Sequence, residues 1–136
     1  MNVKAFADTN ILVYYASLEN LEKLHISREY ISNYYTIIST QTLNEFCNVL
    51  LRKKKLPLAD VKKSLEIFVN MCEVVKLELN DISYALNLSE RYNYSYYDCL
   101  MLASAINSDC KFIFTEDMQD GQIIDNKLTI KNIYRE

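Results

Sequence analysis

With 136 residues, half of them apolar, the chain holds one domain's worth of sequence, taken as a single domain over 1–136. A chain of this length buries about two-thirds of its unfolded surface, so it needs no disulfide or metal staple to fold. One glycine and one proline leave little room for disorder, and eighteen acids against fifteen bases give a net charge of −3, which is no signature of a nucleic-acid binder by itself.

In chain order, Val3 to Ala7 reads as a short strand ending at Asp8, and Asn10 to Ser17 as a helix. Leu21, Leu24, Ile31 and Tyr34 recur near a period of 3.6 and predict a second helix. The β-branched run Thr36 to Ser39 predicts a strand, followed by a helix from about Thr42 to Lys54. Lys55-Leu56-Pro57 breaks that helix, and Pro57 suits the start of the next, which runs to about Met71. Glu73 to Lys76 is a short strand. Asn80 or Asp81 is a candidate cap for a helix ending near Tyr92. Ser95 is a candidate cap for another, from Tyr96 to about Asn107, which is apolar nearly all round and therefore expected to be buried. Lys111 to Thr115 and Leu128 to Ile133 complete the strands, with a turn at Asp120-Gly121 between them. Strands separated by helices imply a three-layer α/β/α domain around a mainly parallel sheet of four or five strands.

The four cysteines (Cys47, Cys72, Cys99 and Cys110) form no C-x-x-C pair, and the single histidine, His25, is distant from all of them. This argues against zinc and fits small core thiols in a reducing, cytoplasmic setting. The N-terminus MNVKAFADTN puts an Asp and an Asn inside what would be the apolar stretch of a signal peptide. No apolar run approaches the ~20 residues of a membrane span.

Ligands of parallel α/β sheets bind beyond the carboxyl ends of the strands. Asp8 directly follows the first strand, and Glu116 and Asp117 follow the strand KFIFT. Glu45 lies early in the helix after TIIS, and Asp98 in the first turn of the buried helix. Carboxylates brought together there without a nearby Lys or Arg repel one another and suit hard, oxygen-seeking Mg²⁺ or Mn²⁺. Such an ion also inverts the local field, which answers the objection from net charge. Each acid also has a plainer role. Asp8 is placed to cap a helix, Thr42 to Glu45 and Ser95 to Asp98 resemble capping boxes, and Glu116, Asp117 and Asp120 suit a turn.

The ordered set Phe6-Ala7-Asp8-Thr9-Asn10-Ile11-Leu12, Leu43-Asn44-Glu45-Phe46, Tyr97-Asp98-Cys99-Leu100 and Thr115-Glu116-Asp117-Met118-Gln119-Asp120-Gly121 resembles the PIN domain of VapC-type toxins, and Leu128 to Asn132 fits its close. The resemblance spans almost the whole chain. It implies a Mg²⁺- or Mn²⁺-dependent endoribonuclease that uses a metal-activated water and leaves a 5′-phosphate and a 3′-hydroxyl. It further implies an RNA substrate, a cognate antitoxin and a homodimer. Asp8, Glu45, Asp98 and Asp117 match the family's acidic site, and Thr9 its supporting hydroxyl. Glu116 and Asp120 compete with Asp117 for the fourth metal position. The family often has Trp before the third acid; Tyr97 stands there.

The basic run Arg52 to Lys55, with Lys62 and Lys63, suits RNA phosphates, though a solvated helix end explains it more simply. The tyrosine pairs 14–15, 34–35 and 96–97 suit base stacking, with half-burial in the core the plainer reading, and His25 reads as a surface residue. Two rival classes share this pattern. A signalling receiver has a similar sheet and acidic edge, but receivers pair two acids at the first strand and place a Lys after the last, whereas Asp8 stands alone. The other is a non-catalytic metal- or partner-binding α/β domain.

Overall fold

A computed structural model describes residues 3–135. Six strands form one sheet: β1 (Lys4–Ala7), β2 (Tyr35–Ser39), β3 (Glu73–Val75), β4 (Phe112–Phe114), β5 (Ile123–Ile124) and β6 (Leu128–Lys131), in the order β3-β2-β1-β4-β6-β5. All neighbours are parallel except β5, which runs antiparallel to β6. The helices are α1 (Thr9–Ala16), α2 (Leu21–Asn33), α3 (Thr40–Asn48), α4 (Leu58–Met71), α5 (Leu79–Arg91) and α6 (Tyr96–Asn107).

The strands are apolar on both faces because both are covered. Phe6, Ile37 and Ile113 share one core with Ala85 and Leu88 of α5 and Leu102 and Ala105 of α6. Ala5, Ala7, Ile38 and Phe114, which alternate with them, share a second core with Ile11 of α1, Ile31 of α2, Phe46 of α3 and Phe68 of α4. This is the expected three-layer α/β/α arrangement. Every residue of α6 from Cys99 to Ile106 is buried, as its nearly uniform apolar surface requires.

The helix starts differ from expectation in two places. Helix α3 begins two residues earlier than read from sequence. Ser39 is its N-cap, and the capping box joins Ser39 to Thr42, whose hydroxyl accepts from the Ser39 amide at 2.9 Å. Glu45 therefore lies beyond the first turn and does not serve as a box residue. In α5, Asp81 is not the cap but reaches back to accept from the Glu78 amide at 2.9 Å. Helix α3 then widens into a π-helical turn over Val49–Lys53, closed by Lys54 N–H donating to Val49 O at 3.0 Å. Lys55 turns left-handed at φ 52, and Pro57 precedes α4, so the break falls where Lys55-Leu56-Pro57 indicates.

The short strand β5 was not expected. It forms a hairpin with β6 through Asp125 (φ 52) and Asn126 (φ 58), with Lys127 N–H donating to Ile124 O at 3.0 Å. Asp and Asn tolerate these left-handed positions better than most residues. The hairpin is tied to α5 by Asp125, which accepts from Arg91 Nη2 at 2.9 Å and from the Tyr84 and Tyr92 hydroxyls.

From β1 the chain steps outward through β2 and β3, then returns to the other side of β1 with β4. The reversal leaves a topological switch point between the carboxyl ends of β1 and β4. This order differs from the 2-1-3-4-5 order of receiver domains, which sets that rival aside.

Candidate active site

Asp8 ends β1 at the switch point and caps α1. It is 4 % exposed, and its carboxylate accepts from Thr9 N–H at 2.5 Å and from the Thr115 hydroxyl at 2.7 Å. Burial pushes its pKa up to about 6 against the pull of these two hydrogen bonds, and the charges of Asp117 and Asp98 push the same way. Capping and membership of an acidic cluster thus coexist in one side chain.

Asp98 is half-buried in the first turn of α6. The Ser95 hydroxyl accepts from its amide at 3.2 Å. Burial raises its pKa and Asp117 and Glu45 raise it further, while a hydrogen bond with Ser95 pulls the other way. Glu45, half-buried in α3, accepts from the Thr9 hydroxyl at 2.7 Å and from Gln41 Nε2 at 3.0 Å. Asp117, exposed after β4, accepts from Asn10 Nδ2 at 3.1 Å, and its amide donates to the Thr115 hydroxyl at 3.1 Å. Asp8 thus feels the charges of Asp117 and Asp98, and Asp98 those of Asp117 and Glu45, which links four acids drawn from the ends of β1 and β4, the second turn of α3 and the start of α6. No salt bridge neutralises any of them among the described residues.

The other two candidate acids point elsewhere. Glu116 pairs with Lys23 at 2.7 Å and accepts from the Tyr14 hydroxyl. Burial alone would raise its pKa, but these two partners outweigh it and hold the carboxyl below its ordinary range. Asp120 accepts from the Asn132 amide at 2.8 Å and works as a turn residue before Gly121, whose φ of 86 suits glycine.

Three polar side chains in this network had no assigned role in the sequence reading: Asn10, Gln41 and Thr115. Asn10 lies two residues after Asp8 in D-T-N, Thr115 directly precedes Glu116 in T-E-D, and Gln41 lies one helical turn before Glu45, so sequence carried a signal for each. Tyr14, Tyr15, Tyr34 and Tyr96 are half-buried as expected, whereas Tyr35 is exposed and Tyr97, beside Asp98, is 63 % exposed. His25 lies on the surface.

The donor set is all oxygen and carries excess negative charge, which suits Mg²⁺ or Mn²⁺ and not zinc. Among the described residues no three His, Cys, Asp or Glu side chains converge on a single point. This is compatible with an ion that keeps several waters and takes only one or two protein carboxylates, as Mg²⁺ does. The cysteines are all unpaired thiols, with Cys72, Cys99 and Cys110 buried. No described helix is long and apolar enough to cross a membrane.

A doubly covered parallel sheet with carboxylates gathered at its switch point is the plan of a PIN domain. The PIN-domain family model matches residues 5–119, and the chain belongs to that family. Its fold is shared with a toxin–antitoxin complex from Klebsiella pneumoniae (TM-score 0.74, 17 % identity, 97 % of this chain and 99 % of that one). It is also shared with VapBC2 from Rickettsia felis bound to a DNA fragment from its promoter (TM-score 0.70, 18 % identity, 95 % and 99 % covered). A third similar structure is Mycobacterium tuberculosis VapC20, a sarcin-ricin loop cleaving toxin (TM-score 0.69, 13 % identity, 83 % and 89 % covered). No curated protein matches the sequence.

Proposed function

We propose that this chain is a Mg²⁺- or Mn²⁺-dependent endoribonuclease, the toxin of a type II toxin–antitoxin pair, with Asp8, Glu45, Asp98 and Asp117 as the acids that would hold the ion, directly or through its waters. The observation that carries the reading is the gathering of four carboxylates without a neutralising cation at the switch point. Membership of the PIN family and likeness of fold to toxins, one of them a sarcin-ricin loop cleaving toxin, support it.

When bound, the ion supplies Lewis acidity, a more acidic water and charge stabilisation at the leaving oxygen. The chain's own residues set the geometry. Asp8 is held by two hydrogen bonds at the floor of the site. The Thr9 hydroxyl fixes one oxygen of Glu45, and Asn10 holds Asp117 from α1. Asp117 is the fourth acid, because Glu116 and Asp120 are committed to Lys23 with Tyr14 and to the Asn132 amide. Tyr97 presents an open aromatic face beside Asp98, suited to stacking on an unpaired base.

Negative charge at this edge also suits a cationic side chain inserted from a partner. The protein encoded beside this gene is the expected antitoxin, and a homodimer the expected assembly. The decisive experiment is RNA cleavage with Mg²⁺ or Mn²⁺, with and without chelator. Cleavage that requires the ion supports the reading; no cleavage of any RNA in either ion removes it. Co-purification of the neighbouring gene product, with inhibition of cleavage, tests the toxin–antitoxin part separately.

A further inference from the structure

Gln41 lies on α3 one turn before Glu45 and is only 7 % exposed. Its Nε2 donates to Glu45 Oε2 at 3.0 Å and to the backbone carbonyl of Tyr97 at 3.2 Å. Both amide hydrogens are therefore used. The carboxamide orientation follows from its partners, since the flipped form would set an acceptor against two acceptors. Oε1, on the other side, is buried and has no hydrogen-bond partner among the described residues.

An orphaned buried acceptor costs stability, and an apolar side chain of similar size would fill the same space without it. Stability therefore does not explain glutamine here. What the amide does is orient one carboxylate and bridge it to the turn that carries another. It ties Glu45 on α3 to the residue preceding Asp98 on α6, and it adds no charge. A Lys or Arg would make the same reach but would neutralise Glu45. With Thr9 donating to Oε1 and Gln41 to Oε2, each oxygen of Glu45 is held by one donor and keeps a lone pair for a ligand.

We propose that Gln41 is a positioning residue of the acidic site, setting the direction of the Glu45 carboxylate and its placement relative to Asp98. The proposal rests on the metal-site reading above. Partners that orient metal ligands typically change metal affinity or activity 10–100-fold when removed.

The test is a Mn²⁺ titration of wild type, Gln41→Met and Gln41→Leu, read by thermal melting without RNA and followed by cleavage kinetics. The expected result is a Mn²⁺ midpoint raised about tenfold or more in both variants. The melting point in chelator should be unchanged or higher, and kcat should fall more than KM rises. A wild-type Mn²⁺ midpoint in both variants overturns the proposal. So does a melting point lowered in chelator with the midpoint unmoved, which is the outcome for a merely structural residue. Failure of both variants to fold overturns it too, because a residue kept for positioning alone leaves room for an apolar side chain. A wild type that shows no response to Mn²⁺ removes the metal site itself and Gln41's role with it, a result visible before any variant is compared.

Discussion

Replacing Asp8 by Asn removes the most buried charge of the acidic cluster, and the effect on stability has a sign and a size. The folded-state pKa is about 6, against an ordinary aspartate value of 3.8. Between these two values the native state holds more protons than the unfolded chain. Stability therefore falls as pH rises through this window and is level above it. At 1.36 kcal/mol per pH unit the interval corresponds to roughly 3 kcal/mol. Urea unfolding in chelator from pH 4 to pH 8 should show wild type losing about that much more than Asp8→Asn. Near neutral pH the variant should melt higher by roughly 10 °C. The comparison is made as a difference, because burial also raises the Asp98 carboxyl. The substitution itself is mild. The new amide can accept from Thr9 N–H and donate to the Thr115 hydroxyl, whose oxygen already accepts from the Asp117 amide. Saturating Mn²⁺ should flatten the wild-type fall between pH 4 and pH 6, since the ion binds the deprotonated acids, and should do much less for the variant. Superimposable pH profiles for the two proteins in chelator would refute the argument that burial of a charge at Asp8 opposes folding.

Glu45→Gln and Asp98→Asn should stay folded within about 1 kcal/mol of wild type, because neither side chain caps its helix, yet lose RNA cleavage by orders of magnitude; cleavage at wild-type rates by both would take these acids out of the site. Asp117→Asn should lose activity while Glu116→Gln and Asp120→Asn retain it, a three-way kinetic comparison that assigns the fourth acid. Asp125, held by Arg91 first and by Tyr84 and Tyr92, has its carboxyl pulled down to about 2, so its contribution to stability is present above pH 4 and is lost as pH falls toward 2. Arg91 is largely exposed, so Arg91→Met should cost no more than about 1 kcal/mol at neutral pH and should soften the acid limb of the unfolding curve; an unchanged acid limb would show that the pair does not tie the hairpin to α5.

The alternation of short β-branched runs with longer periodic ones specified an α/β/α sandwich, because residues that must be apolar on both faces can lie only in a doubly covered sheet. The uniformly apolar stretch after Ser95 specified a buried helix for the same reason. Asp8, Glu45, Asp98 and Asp117 were legible as candidates for one edge, since each follows a strand or lies early in a helix, and such positions share one edge in a parallel sheet. The two-residue strand β5 escaped because two residues carry no period. Asp125-Asn126 was the available sign of its turn. Which helix residue caps and which is left free was also beyond the sequence. Thr42 to Glu45 has the spacing of a capping box, but Ser39 begins the helix earlier and takes Thr42 as its partner, which releases Glu45 toward Thr9 and Gln41. The roles of Glu116, Asp117 and Asp120, alike in local sequence, separate only when Lys23 from α2, Asn10 from α1 and the Asn132 amide beyond β6 are brought to them by the fold. Local sequence determines which residues can be charged, turned or apolar; which charge meets a partner and which is left facing other charges is decided by packing, since most of the deciding partners come from other elements of the fold.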